Sequence, residues 1–184
     1  MIIGIVGPIA SGKSVLSEIL IAGGFIRFSL SDEVREEARE QKIPIERKHL
    51  QDLGNLMREK FGKGYWMQRI IKKMQEDKNY IIDGIRNPGE IEELEKLKDF
   101  ILIGVNAPLE KRFEWIITRN KDSDPKTLDG VKVIDARDRG KGEEKHGQQV
   151  DKCYSLADYY IENDGSLDDS YKKCEKLIEE LKII

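Results

Sequence analysis

The chain has 184 residues, 36% of them charged and 39% hydrophobic, with a net charge of −3. Its 32 basic and 35 acidic residues are interspersed, so no basic tail or stripe marks a duplex nucleic-acid binder. No apolar run is long enough for a membrane-spanning helix, and two distant cysteines, Cys153 and Cys174, build neither a disulfide framework nor a metal site.

Residues 2–6, Ile-Ile-Gly-Ile-Val, read as a short buried strand. An opening strand leaves no room for a signal peptide, so a cytoplasmic protein of one domain is expected, either monomer or homo-oligomer. Gly7-Pro8-Ile9-Ala10-Ser11-Gly12-Lys13-Ser14 follows at once and matches G-x-x-x-x-G-K-[ST], ahead of a helical stretch over residues 13–22. In that setting Gly7 and Gly12 let the backbone curl, so that the N–H groups from Ala10, Ser11 and Gly12 through Val15 face phosphate oxygens. Lys13 is expected to reach the outer phosphates and Ser14 to offer its hydroxyl to Mg²⁺. The positive end of the helix adds to the site. ATP with Mg²⁺ is the expected ligand.

A second strand, residues 25–29, leads into about fifty residues with helical patterns over 31–41, 46–60 and 64–77. At its start Ser31 suits an N-cap and Asp32 the helix dipole, but Arg35 opposes that dipole and asks for another explanation. The third strand, Tyr80-Ile81-Ile82-Asp83, ends in a carboxylate that either holds Mg²⁺ beside the loop or merely begins a turn. Arg86 follows at a strand's carboxyl end, where ligands bind in open α/β sheets; it either grips a phosphate or pairs with Glu90 or Glu92.

A helix over 88–98 and a strand over 100–105 precede a helix over 108–120, on which Arg112 and Arg119 fall on nearly one face. Both lie at the edge of the stripe Leu109, Phe113, Ile116 and Ile117, and a pair of arginines there can neutralise charge on a phosphoryl group in transfer. Residues 120–145 hold 14 charges, seven of each sign, and little apolar content beyond Leu128, Val131, Val133 and Ile134. This stretch is expected to bury little and to move, as a closing lid or a solvated loop, with Arg137 and Arg139 as further guanidinium groups. Helical patterns over 127–138, 146–157 and 167–182 and a strand over 159–162 complete the chain. The interior strands run almost continuously apolar, as strands covered on both faces do, so the expected fold is three-layer α/β.

Taken together these motifs resemble the P-loop nucleotide kinases, the group of the nucleoside monophosphate kinases and dephospho-CoA kinase. Phe28–Arg35 is similar to the segment that presents an arginine to the acceptor phosphate in adenylate kinases. Asp83-Gly84-Ile85-Arg86 is similar to their Asp-Gly-x-Pro-Arg without its proline, and the Arg112–Arg119 helix to the one leading to their lid. Residues 157–166 are similar to the late strand and turn beside adenine. The resemblance implies a five-stranded parallel sheet with helices on both faces, its core in residues 1–29, 79–119 and 146–184. It further implies acceptor-binding helices in 30–78 and a lid in 120–145. Asp32, Arg35 and Arg86 would serve the acceptor, Arg119 and Gly165 the nucleotide, and Lys13, Arg112, Arg119 and Arg137 the transferring group. The adenylate kinase zinc cysteines are absent, and Asn120-Lys121-Asp122-Ser123 lacks the last Asp of a guanine-reading Asn-Lys-x-Asp. Three functions follow: transfer from ATP to a nucleoside or deoxynucleoside monophosphate; transfer to a sugar hydroxyl, as in dephospho-CoA kinase, with Asp32 as base; and nucleotide binding with little transfer.

Overall fold

The computed structural model describes residues 1–120 and 124–184. Ile2–Val6 forms β1, all five residues buried. Strand alternation sends Ile2 and Val6 to one face and Ile3 and Ile5 to the other, so both faces need cover. Ile3 and Ile5 join a core cluster with Leu16 and Leu20 of α1 (Lys13–Ala22) and Cys174 and Ile178 of α9 (Leu167–Glu180). Ile2 and Val6 join a second cluster. It takes in Val34 of α2 (Leu30–Glu40), Leu53 of α3 (Arg47–Phe61), Trp66 of α4 (Tyr65–Ile71), Ile91 of α5 (Pro88–Leu94) and Cys153 of α8 (Val150–Ser155). The 30–78 insertion therefore shares the core of the sheet.

The strands β2 (Ile26–Ser29), β3 (Tyr80–Asp83), β4 (Phe100–Asn106) and β5 (Tyr159–Glu162) pair in the order β2-β3-β1-β4-β5, every pair parallel. Ile5 of β1 stands opposite Asp83 of β3. β1 lies between β3 on one side and β4 on the other, and the crevice beyond its carboxyl end is where such sheets bind ligands. Among the described residues, no helix is long and apolar enough to cross a membrane.

Three helices are shorter than their periodicity predicts. The pattern over 64–77 yields only α4, since Lys73 and Met74 turn back onto Ile70 and Ile71 and the Gln75 N–H donates to the Tyr80 hydroxyl at 2.7 Å. The 88–98 pattern stops at Leu94, although its start is well capped by Asn87 and Glu90. Residues 146–149 are claimed by tertiary hydrogen bonds: the Gly147 carbonyl accepts from Asn87 Nδ2 at 2.7 Å and the Gln149 N–H donates to the Arg86 carbonyl at 2.6 Å.

Residues 120–145 depart most from expectation. Within them α7 (Leu128–Asp138) is docked on the body, with Val131 fully buried and Asp135 and Asp138 nearly so. Partners on other elements replace the apolar contacts this segment lacks. Residues 121–123 of the Asn-Lys-Asp-Ser motif and of the expected lid lie outside the described residues. The N-cap also moves: Ser29 holds that position of α2 without a side-chain capping bond, and Ser31, inside the first turn, accepts from Arg35 at 2.6 Å.

Candidate functional site: a cationic phosphate cavity

The turn after β1 is built around two glycines with left-handed backbone, Gly7 at φ 154° and Gly12 at φ 92°. A Cβ on Gly7 would lie 1.9 Å from the Val105 carbonyl oxygen, and one on Gly12 2.4 Å from Asn163 Nδ2. Sterics thus dictate glycine at both positions. Ala10 accepts a left-handed φ of 57° as part of the same curl. The Val15 side chain is in the core, while its N–H closes the turn on the Gly12 carbonyl at 3.0 Å. Behind the loop, buried Asn163 donates through Nδ2 to the Ser11 carbonyl at 2.9 Å, tying the β5–α9 turn to the phosphate loop.

Lys13 lies over the loop, half-buried, its Nζ donating to the carbonyls of Gly7 and Pro8 at 2.9 and 2.7 Å. Burial pushes its pKa down from 10.5 to about 8, against the pull of Asp83. Asp83, at the end of β3, accepts from its neighbour Gly84 N–H at 2.7 Å and pairs with Arg27 at 2.9 Å. Arg27 also comes within 3.9 Å of Asp32, which Arg35 holds at 3.0 Å. Ser14, exposed, shares with Asp83, Arg27 and Arg119 a cavity of about 320 Å³ on the outer side of the loop.

The central cavity, about 390 Å³, lies between the loop and α2. Six cations line it (Lys13, Arg27, Arg35, Arg47, Arg86 and Arg119) against the carboxylates Asp32, Asp83 and Asp138. In an acidic protein this concentrates positive charge in one cavity, the kind of field that draws anions. A second cavity of about 210 Å³ adjoins it and shares Arg35, Arg47 and Arg86. Leu30, Val34, Ile45 and Leu50 give that one an apolar wall. Arg58 reaches it from α3 and is locked by a buried ion pair with Glu90 at 2.8 Å, and Glu90 in turn accepts the Arg86 N–H at 2.7 Å.

Residues 3–147 match the family model described as an AAA domain. A UPF0200 protein of Hyperthermus butylicus is 32% identical over 98% of this chain and 95% of its own. The chain belongs to both families. Its fold is that of the P-loop kinases. The dephospho-CoA kinase of Campylobacter jejuni superposes with a TM-score of 0.57 at 21% identity, over 98% of this chain and 96% of that one. The shikimate kinase of Aquifex aeolicus gives 0.52 at 17% identity, over 99% and 96%.

The structure brings Lys13, Asp32, Arg35, Asp83, Arg86 and Arg119 to one cavity. The alternative pairing of Arg86 with Glu90 or Glu92 does not form among the described residues; its guanidinium faces Asp138 at 3.2 Å and Gln148 at 3.1 Å. Arg112 is a correction. Only 2% exposed, it lines no cavity wall described above: it grips Asp135 with both terminal nitrogens, at 2.7 and 3.0 Å, and donates to the carbonyls of Ala107 and Ile9. Of the apolar stripe beside it only Ile116 is buried, and Ile117 is 43% exposed. Arg137 likewise points away from the cavity, to Gln51, Asp52 and Glu143. Arg139 pairs with Asp135 and Asp151. Gly165 lies beyond Asn163 in the turn leading to Ser166, the cap of α9.

Sequence reasoning missed Arg27, Arg47, Arg58, Asn163 and Asp138. Arg27 carried a signal, a lone charge in the apolar run Phe25–Phe28. Asp138 carried none, being one charge among many in its segment. Ser14 and Asp83 offer a hydroxyl and a carboxylate to one cavity, the oxygen donors that Mg²⁺ takes alongside phosphate and water. That donor set fits the ion.

Proposed function

We propose that this protein is a cytoplasmic, Mg·ATP-dependent phosphotransferase that moves the γ-phosphoryl group to a nucleoside or deoxynucleoside monophosphate. The observation behind this reading is the continuity of the two cavities. A strongly cationic chamber at the phosphate loop opens, through Arg35 and Arg86, into one with an apolar wall for a base and arginines for a phosphate. The loop amides and Lys13 hold the donor's phosphates, and Arg119 stands over the same chamber. Arg35 and Arg86 orient the acceptor phosphate, whose oxygen attacks the γ-phosphorus as the bond to the ADP oxygen breaks. No proton moves, so no base is required. Mg²⁺ between Ser14 and Asp83 would offset charge on the β- and γ-phosphates. Arg112, which donates directly to the Ile9 carbonyl of the loop, acts as a positioning residue through Ile9 and Asp135.

A second acceptor class is favoured by Asp32, an exposed carboxylate lining the same chamber. If the acceptor is a hydroxyl, as the names of the dephospho-CoA and shikimate kinases suggest, its proton passes to Asp32 as the new P–O bond forms. Coupled ADP-release assays against nucleoside and deoxynucleoside monophosphates and dephospho-CoA test both. Asp32→Asn is expected to leave monophosphate phosphorylation nearly unchanged, but to slow hydroxyl phosphorylation by about 10²-fold or more. ATP binding without acceptor-dependent ADP release from any of these would leave a nucleotide-binding module instead.

A further inference from the structure

Asp138 has no role in the reaction just described, yet it lines the phosphate chamber. It belongs to α7, in the segment expected to close over the site, and is 2% exposed. Its Oδ2 meets Arg47 Nη2 at 2.6 Å, and its Oδ1 meets Arg86 Nη1 at 3.2 Å and Gln51 Nε2 at 2.9 Å. Arg47 and Arg86 are two of the three arginines that the two cavities share. A carboxylate from the protein itself therefore sits between two of the chamber's arginines.

Two features show that one carboxylate satisfies these arginines incompletely. Among the described residues, Arg47 and Arg86 share one ion-pair partner, Asp138, so two positive charges face one negative. Among the same residues, Arg47 Nε is buried with no hydrogen-bond acceptor. A phosphate monoester dianion carries the second charge and a third oxygen, which supplies the acceptor that Nε lacks.

We propose that Arg47 and Gln51 complete, with Arg35 and Arg86, the acceptor's phosphate subsite and that Asp138 is its built-in occupant, displaced when an acceptor phosphate binds. The proposal rests on the phosphotransferase reading for the identity of the acceptor. Its consequence is that acceptor entry and the docking of α7 compete. Part of the acceptor's binding free energy goes to evicting Asp138, so the site discriminates against monoanions too weak to do so. Apparent affinity is lowered by the fraction of molecules in which the subsite is free.

The test uses the full-length protein and inorganic phosphate as probe. Calorimetric titration with a non-hydrolysable Mg·ATP analogue comes first and reads the donor site alone; absence of heat there overturns the phosphotransferase reading. Phosphate is then titrated into the analogue-saturated protein. Asp138→Asn is expected to bind phosphate about tenfold more tightly than the parent, and Asp138→Asn with Arg47→Ala to lose that gain. Unchanged or weaker binding by Asp138→Asn overturns the proposal. Should that variant fail to fold, hydrogen exchange on the unaltered protein decides. Phosphate is expected to speed exchange of the α7 amides but not those of β1, acetate at equal concentration to leave α7 unaltered, and Arg47→Ala to abolish the effect. If α7 exchange is indifferent to phosphate, or responds equally to acetate, Asp138 is not a stand-in for a phosphate. This arm needs no nucleotide, so it separates failure of the subsite from failure of the donor site.

Discussion

Lys13 shows how one side chain carries both the loop's function and its electrostatic cost. Its ammonium sits on two carbonyls within a chamber crowded with arginines, and burial brings its pKa to about 8. The unfolded chain, at 10.5, holds this proton more tightly than the native one, so between about 8 and 10.5 unfolding takes up a proton. In that window the Lys13 contribution makes stability rise with pH. Binding of a polyanion reverses the balance, because phosphates favour the charged form. Above pH 8 the affinity for Mg·ATP is therefore expected to fall by up to about tenfold per pH unit, with a proton taken up on binding. Calorimetry near pH 9, in buffers of different ionisation enthalpy, measures that uptake directly. A buffer-independent heat would show that Lys13 is already charged throughout.

At the scale of elements, the junction of α6 (Leu109–Arg119) with α7 depends on a buried polar clamp. Arg112 and Asp135 form a two-point ion pair, and Arg139 closes the other side of Asp135 at 2.8 Å. Burial opposes the charge on Asp135, but the bonds from Arg112 and Arg139 outweigh it and hold its pKa below 3.8. The clamp is thus complete above pH 3.8 and is lost as pH falls through the lower native value. Arg112→Ala leaves Asp135 buried without its main partner and is expected to cost about 3–5 kcal/mol in urea unfolding at neutral pH. Arg112→Ala combined with Asp135→Ala should cost less than the two single losses added together. Strict additivity in that cycle would mean the two side chains are not coupled.

For the whole molecule, the question is how a segment so poor in apolar residues stays on the body. Arg137 reaches Asp52 at 2.8 Å and Gln51 at 3.0 Å on α3, and Glu143 accepts from Asn55 at 2.6 Å. Together with Asp138 these bonds make a polar latch between the 120–145 segment and the 30–78 insertion. Such contacts are weaker and more reversible than apolar packing. Arg137→Ala is expected to raise hydrogen exchange of α7 while leaving β1 and β3 protected. An α7 as protected as in the parent would place the docking energy on Val131 instead.

The sequence by itself determined the strands, the phosphate loop and the parallel α/β layers, because each is written in adjacent residues: glycine spacing, a lysine after the last glycine, and apolar runs of strand length. It also pointed to Lys13, which follows β1, to Asp83, which ends β3, and to Arg86 just beyond it. Only the tertiary structure decided the partners of the arginines. Arg47 and Asp138 are 91 positions apart, and a guanidinium obeys no periodicity that would reveal which distant carboxylate it meets. Arg112 reads from the sequence like Arg119, yet one is buried in a clamp and the other lines the chamber. The same holds for residues 120–145, whose charges read as a mobile lid or a solvated loop until opposite charges on α3 are brought against them.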